Sequence, residues 1–256
     1  MKRYTGKKRD MRRWAALDDL RGLTLLSMTA YHACWDAVWI FGADWGWYRS
    51  VGAYLWQQSI CWTFILLSGF CWSLGSHHLR RGLEVFAGGL LVTAVTLAVM
   101  PQNRIVFGVL TLLGTAMLLM IPLERVLERV PARAGLAGSL LLFLVLRNVN
   151  GGWLGFEGLR LAALPARLYR NLATAFLGFP PVSFSSTDYF SLLPWFFLFL
   201  TGYFLYRLWR AHRRIPTGGV SIPVLGALGR NSLAVYLLHQ PVVYAVLFVV
   251  FQLQSA

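Results

Sequence analysis

Apolar runs of about the length that crosses a bilayer recur seven times along this chain, at about residues 20–41, 53–75, 83–100, 105–122, 134–147, 189–208 and 225–251. A hydrocarbon core takes roughly 20 apolar helical residues to cross. The chain is therefore expected to be an all-α integral membrane protein with about seven transmembrane helices. Composition agrees: 13% of the residues are charged and 57% hydrophobic, where a soluble domain averages about 25% charged. The net charge of +14 raises nucleic acid as a partner, and its distribution decides against one. Lys2, Arg3, Lys7, Lys8, Arg9, Arg12 and Arg13 precede the first run; further clusters are Arg80 with Arg81, Arg125 with Arg129 and Arg133, and Arg207 with Arg210, Arg213 and Arg214. Each cluster sits at an end of an apolar run, which is the positive-inside pattern of membrane topology. A nucleic-acid binder would be expected to gather its charge on one soluble face.

With the N-terminus in the cytoplasm, the basic loops after spans two, four and six fall inside. The short "MPQNR" turn and the C-terminus fall outside. Residues 1–17 form a basic cytoplasmic segment, expected to be retained because no small-residue cleavage site follows a short apolar core. The whole chain, 1–256, reads as a single transmembrane domain. Cys34, Cys61 and Cys71 all lie inside apolar runs without metal or disulfide spacing, so they read as small buried hydrophobes and no metal is expected.

The longest connection, about 148–188, opens with the turn chemistry of "NVNGGWLGFEG" and closes with "GFPPVSFSSTD". Between them "LRLAALPARLYRNLATAFLGF" spaces Arg160, Arg167 and Arg170 by seven and three, with leucines on the other side. That pattern predicts one interfacial helix lying along the outer membrane surface. Its arginines either meet lipid headgroups or help hold an anionic acceptor, Arg167 being the candidate contact.

The first run holds the chemistry. In "LDDLRGLTLLSMTAYHACWD", residues 17–36, Arg21 and His32 are 11 apart, three turns plus about 20°, so they share a face and stand roughly 16 Å apart along the axis. Asp36 follows His32 at i+4 on that face. Taken singly, Arg21 could snorkel to headgroups, His32 could serve as an interhelical hydrogen-bonding residue and Asp36 as a polar rim residue. Taken together they form a polar stripe, in which a neutral imidazole suits a general base and a carboxylate at i+4 can orient it. Arg21 is too distant for that step and suits the phosphates of a ligand entering from the cytoplasm.

This run resembles the first helix of the transmembrane acyltransferase superfamily. More closely, it resembles bacterial members of the heparan-alpha-glucosaminide N-acetyltransferase catalytic domain family. "FILLSGF" at 64–70, "FGVLTLLGTAMLL" at 107–119, "DYFSLLPWF" at 188–196 and "LGRNSLAVYLLHQPV" at 228–242 extend the resemblance in order over nearly the whole chain. It implies transfer of an acetyl or other acyl group from cytoplasmic acyl-CoA to a hydroxyl or amine of a sugar on the far side of a bacterial inner membrane. His32 matches the family's catalytic histidine and Arg21 its partner in the acyl-CoA channel. Thr111 departs from a histidine expected near it in many bacterial members.

Other residues carry two readings each. His239, about as deep in the last span as His32 in the first, is either a structural contact or a second wall of the site, with Pro241 loosening the backbone beside it. Arg230 and Asn231 either contact CoA phosphates or anchor the inner end of that span. Trp195 either lines the acceptor cleft or anchors an interface. Asp188 reads as the N-cap or a first-turn acid of the helix that follows it. Besides acyl transfer, two classes remain in view. One is a transporter or flippase of a lipid-linked glycan, against which stands the lack of matching halves. The other is a haem- or quinone-binding electron carrier using His32 and His239. Membrane lipid and a glycan acceptor are the expected partners, and homo-oligomerisation is compatible with the sequence.

Overall fold

The computed structural model describes residues 7–212 and 222–255. Lys2, Arg3, Arg213 and Arg214, named above in basic clusters, lie outside the described residues. Helices dominate: α1 (Lys7–Trp39), α2 (Val51–Phe70), α3 (His78–Val99), α4 (Val109–Leu127), α5 (Ala132–Leu146), α6 (Leu172–Leu177), α7 (Leu192–His212), α8 (Pro223–Arg230) and α9 (Ser232–Ser255), with one antiparallel hairpin, β1 (Trp153–Phe156) and β2 (Leu159–Ala163).

The first six expected runs each overlap one of the helices α1–α5 and α7, and the last is shared between α8 and α9. Among the described residues, five segments are long and apolar enough to cross a membrane: α3, α4, Ala132–Gly151, Leu192–Ala211 and Ser232–Leu253. The remaining two, α1 and α2, are less apolar for a visible reason. Asp18, Asp19, Arg21, His32 and Asp36 interrupt α1, and Gln57, Gln58, Trp56 and Trp62 interrupt α2. The first helix also begins earlier than expected, inside the basic segment, and runs for 33 residues. The last expected run is broken in two, because the Asn231 side chain turns back to donate to Ala227 O and caps α8 before α9 starts.

The expected interfacial helix over 148–188 is not there; a hairpin, a 3-10 turn at Ala166–Leu168 and the six-residue α6 take its place. Pro165 sits in the middle of the proposed helix, where it would cost about 3 kcal/mol. Gly155, at φ +138, makes a bulge, and Glu157, at φ +47, lies in the turn that reverses the chain. Arg160 accordingly lies on β2, Arg167 in the 3-10 turn and Arg170 just before α6, rather than on one helical face.

The chain divides into two compact units, Met1–Phe64 with Arg214–Ala256, and Ile65–Arg213. In the first, α1 and α8 meet backbone to backbone. A Cβ on Gly22 would lie 2.1 Å from Leu225 O, and one on Gly229 would lie 2.0 Å from Asp18 O. Small residues permit such approaches between membrane helices. In the second, α3 and α4 cross in the same manner, with Gly89 against Thr111 and Gly114 against Phe86. Thr111 is 3% exposed in this crossing. An imidazole there has no room, which is the physical sense of the departure noted above.

Both ends of α4 are finished by distant residues. At its start the Val109 N–H donates to Asp188, whose carboxyl burial pushes up to about 6 while that hydrogen bond pulls it back. Asp188 thus caps α4 and not α7, which begins at Leu192 beyond its reach. At the other end Arg207 donates to Leu127 O at 2.7 Å, Val130 O at 3.0 Å and Glu128 O at 3.0 Å, satisfying carbonyls that a helix end leaves without partners. Arg207→Ala is expected to lower unfolding stability by about 3 kcal/mol, the scale of losing charge-assisted bonds to half-buried groups. Arg207→Lys is expected to recover only part, since one ammonium cannot reproduce the guanidinium fork. Denaturant unfolding in detergent measures both, and an alanine variant as stable as wild type would show that the carbonyls find equivalent partners elsewhere.

Candidate active site

The candidate site lies wholly in the first unit, between α1 and α9. His32 Nδ1 is 2.7 Å from His239 Nε2, and the two rings meet edge to edge, centroids 4.9 Å apart and planes 22° apart. The tautomers follow from the network. His239 Nδ1 faces Tyr236 O at 2.5 Å, and a carbonyl only accepts, so Nδ1 bears the hydrogen. Nε2 of the neutral ring is then an acceptor, and His32 Nδ1 must donate to it. The lone pair of His32 is left on Nε2, the atom able to take a proton from a substrate. Tyr31 stands edge-on to His32 at 6.1 Å and to Trp56 at 5.3 Å, and Trp56 Nε1 donates to Ser27 Oγ at 2.8 Å, so the surroundings of the pair are themselves fixed.

Asp36 is fully buried, but it does not steady His32 as its i+4 spacing predicts. Its Oδ1 accepts from Gln240 Nε2 at 2.7 Å, while Oδ2 is buried without a hydrogen-bond partner among the described residues. The i+4 relation brings two residues to one face, and here α9 supplies a nearer partner for each: His239 for His32 and Gln240 for Asp36. Gln240 was missed in the sequence. Its signal is its position beside His239 in "LHQPV", where consecutive polar groups interrupt an apolar span.

Arg21 lies at the α1–α8 junction, its Nη1 3.3 Å from Asp18 Oδ1. Asp18 also feels the charge of Arg230. The structure thus gathers Arg21 and Arg230 around one carboxylate, and the neighbouring Asp19 Oδ2 accepts from Ile222 N–H ahead of α8. Asn231 is occupied locally by Ala227 O. In the second unit Trp195 is 4% exposed, packed by Phe143 and Phe190 with the Arg147 guanidinium 4.9 Å over its ring. It is a core ring and not the wall of an open cleft. Arg167 is exposed, and its carbonyl accepts from Arg170 Nε.

Apolar helices of membrane-crossing length, one of them packed through a histidine pair against the first helix of its unit, define a multi-pass membrane protein. A family model describing the catalytic domain of heparan-alpha-glucosaminide N-acetyltransferase matches residues 13–241, and the chain belongs to that family. The match takes in every candidate residue above, and membership implies a membrane acyltransferase. No curated protein and no solved structure matches the chain.

Proposed function

We propose that this protein transfers an acetyl group from cytoplasmic acetyl-CoA, or another acyl-CoA, to a hydroxyl or amine of an extracytoplasmic sugar. The reading includes seven spans with the N-terminus inside, in a bacterial inner membrane. The observation that carries it is the His32–His239 pair with its accepting nitrogen at His32 Nε2. That nitrogen removes the proton of the acceptor as its oxygen or nitrogen bonds to the thioester carbon. The C–S bond then breaks, and the CoA thiolate takes the proton back from the imidazolium. His239, neutral and fixed by Tyr236 O, accepts from His32 Nδ1 throughout and stabilises the positive charge, a role a carboxylate fills in other acid–base pairs.

Arg21 and Arg230 suit the phosphates of the donor, exchanging Asp18 for them. The separation of Arg21 from His32 along α1, roughly 16 Å, leaves room for an extended thioester arm. The electron-carrier reading gains nothing from the geometry, because His239 has both ring nitrogens engaged, by Tyr236 O and by His32, and so offers no second ligand to an iron.

Isothermal titration of acetyl-CoA into detergent-purified protein tests the donor assignment. Arg21→Ala is expected to weaken binding by about tenfold, the loss of one charge-assisted contact, and His32→Ala to leave it largely intact. No binding by folded wild type would remove the donor and return the carrier and transporter readings.

A further inference from the structure

Two hydrogen bonds join α1 to α9 within the first unit. His32 Nδ1 donates to His239 Nε2 at 2.7 Å, and Gln240 Nε2 donates to Asp36 Oδ1 at 2.7 Å. His32 and Asp36 lie four residues apart, so the two bonds leave α1 about 6 Å apart along its axis and within about 40° of each other. His239 and Gln240 are consecutive and leave α9 about 100° apart. One bond between two helices lets each roll about its own axis. A second, at another height on α1 and another bearing on α9, stops that roll.

The chain makes this turn of α9 dependent on what it meets. Pro241 lies inside α9, directly after Gln240. It brings no N–H to Leu237 O and its ring crowds that carbonyl, so the turn carrying His239 and Gln240 lacks a rung of its own ladder. Helices bend at such places. Farther along, Phe41, just past α1, meets α9 through Phe251 at 5.0 Å and Tyr244 at 5.6 Å between ring centroids. Apolar burial is non-directional, whereas a hydrogen bond weakens steeply off line.

Asp36 answers to Gln240. It is fully buried, and among the described residues its Oδ2 has no hydrogen-bond partner and no salt bridge reaches it. Tyr48, within electrostatic reach, donates its hydroxyl to Tyr31 O at 3.2 Å. Parting Asp36 from Gln240 would leave a buried acceptor bare, so the contact resists opening. We propose that Asp36 and Gln240 form a positioning clasp, which sets the roll of α9 against α1 and so keeps His239 Nε2 in line with His32 Nδ1. The carboxyl serves as an acceptor for Gln240 rather than as a charge beside His32. In the acyl-transfer reading, on which only the effect on rate rests, the clasp acts through His239.

Magic-angle-spinning NMR of the full-length protein in lipid, with isotope-labelled histidine, tests the clasp without reference to acetyl transfer. Wild type is expected to show a correlation between two imidazole nitrogens that His32→Ala removes. Asp36→Leu and Gln240→Met should each abolish it, and Asp36→Asn, which keeps an Oδ1 acceptor, should restore it. Methionine matches glutamine in length and lack of branching, so Gln240→Met tests the clasp even where Asp36→Leu fails to fold. In proteoliposomes the two clasp-breaking variants should lose about 10–100-fold in kcat, the scale of a displaced orienting group. Acetyl-CoA affinity should be kept, and Asp36→Asn should recover most of the loss. A correlation untouched by Asp36→Leu and Gln240→Met overturns the proposal. So does an Asp36→Asn protein as damaged as Asp36→Leu, because the carboxyl would then act by its charge. Failure of the acyltransferase reading would show separately, as absent acetyl-CoA binding with the nitrogen correlation intact and still broken by Gln240→Met.

Discussion

His32→Ala is expected to reduce acetyl transfer by about 10³-fold or more while acetyl-CoA still binds, because removing a positioned general base typically costs about 10²–10⁴. The comparison with His239 separates the two roles. His239→Ala leaves the reacting nitrogen in place but removes the acceptor of His32 Nδ1–H, so the imidazole loses its tautomer and its orientation. A loss of about 10–100-fold is expected, the scale found when an orienting hydrogen bond behind a functional histidine is removed. Radiolabelled acetyl transfer by purified variants in proteoliposomes measures both. Equal losses would mean that the pair acts as one unit, and an active His32→Ala protein would move the chemistry elsewhere.

Gly22→Val carries the second large effect. Its Cβ would sit 2.1 Å from Leu225 O and 2.7 Å from Leu225 C, and the obstruction is backbone, which cannot rotate aside. Overpacking a core costs about 1–3 kcal/mol and sometimes more; with rigid main chain opposite, the upper end is expected. The damage is directed, because separating α1 from α8 also separates Arg21 from Arg230. Thermal unfolding in detergent should therefore show a destabilised protein, and acetyl-CoA titration a donor affinity weakened beyond that of Arg21→Ala. A valine variant as stable as wild type would show that α8 moves away from α1 without cost.

The polar stripe of α1 was legible because a helix has one period, and spacings of 11 and 4 translate directly into a shared face. Its partners were less so. Counting residues placed His239 at a depth similar to that of His32, but not within 2.7 Å of it, and it gave Asp36 the role that His239 fills. Such pairings are set by how α9 rotates against α1, a property of packing between residues 207 and 204 apart in the chain. The hairpin was misread for the opposite reason. Its arginines do recur at helical intervals, yet Pro165 and the glycines at 155 and 158 decide the backbone, and local chain stiffness outranks a side-chain pattern. Trp195 was read as the wall of an acceptor cleft or as an interfacial anchor, whereas the Arg147 cation above its ring and the phenylalanines beside it enclose it.

Helix α1 is unbroken from Lys7 to Trp39, so the arginine near its middle and the histidine further along are rungs on a single ladder. The distance between them is not adjustable by any loop. Adding one residue between the two would lengthen that distance by only about 1.5 Å, but would swing every later side chain by about 100°. His32 would leave His239, Asp36 would leave Gln240, and Arg21 would stay where it is. In such a protein the length from Arg21 to His32 Nε2 and the direction in which that nitrogen points are one inherited quantity, and a ligand whose reach differs has no part of the helix to bend to its own measure.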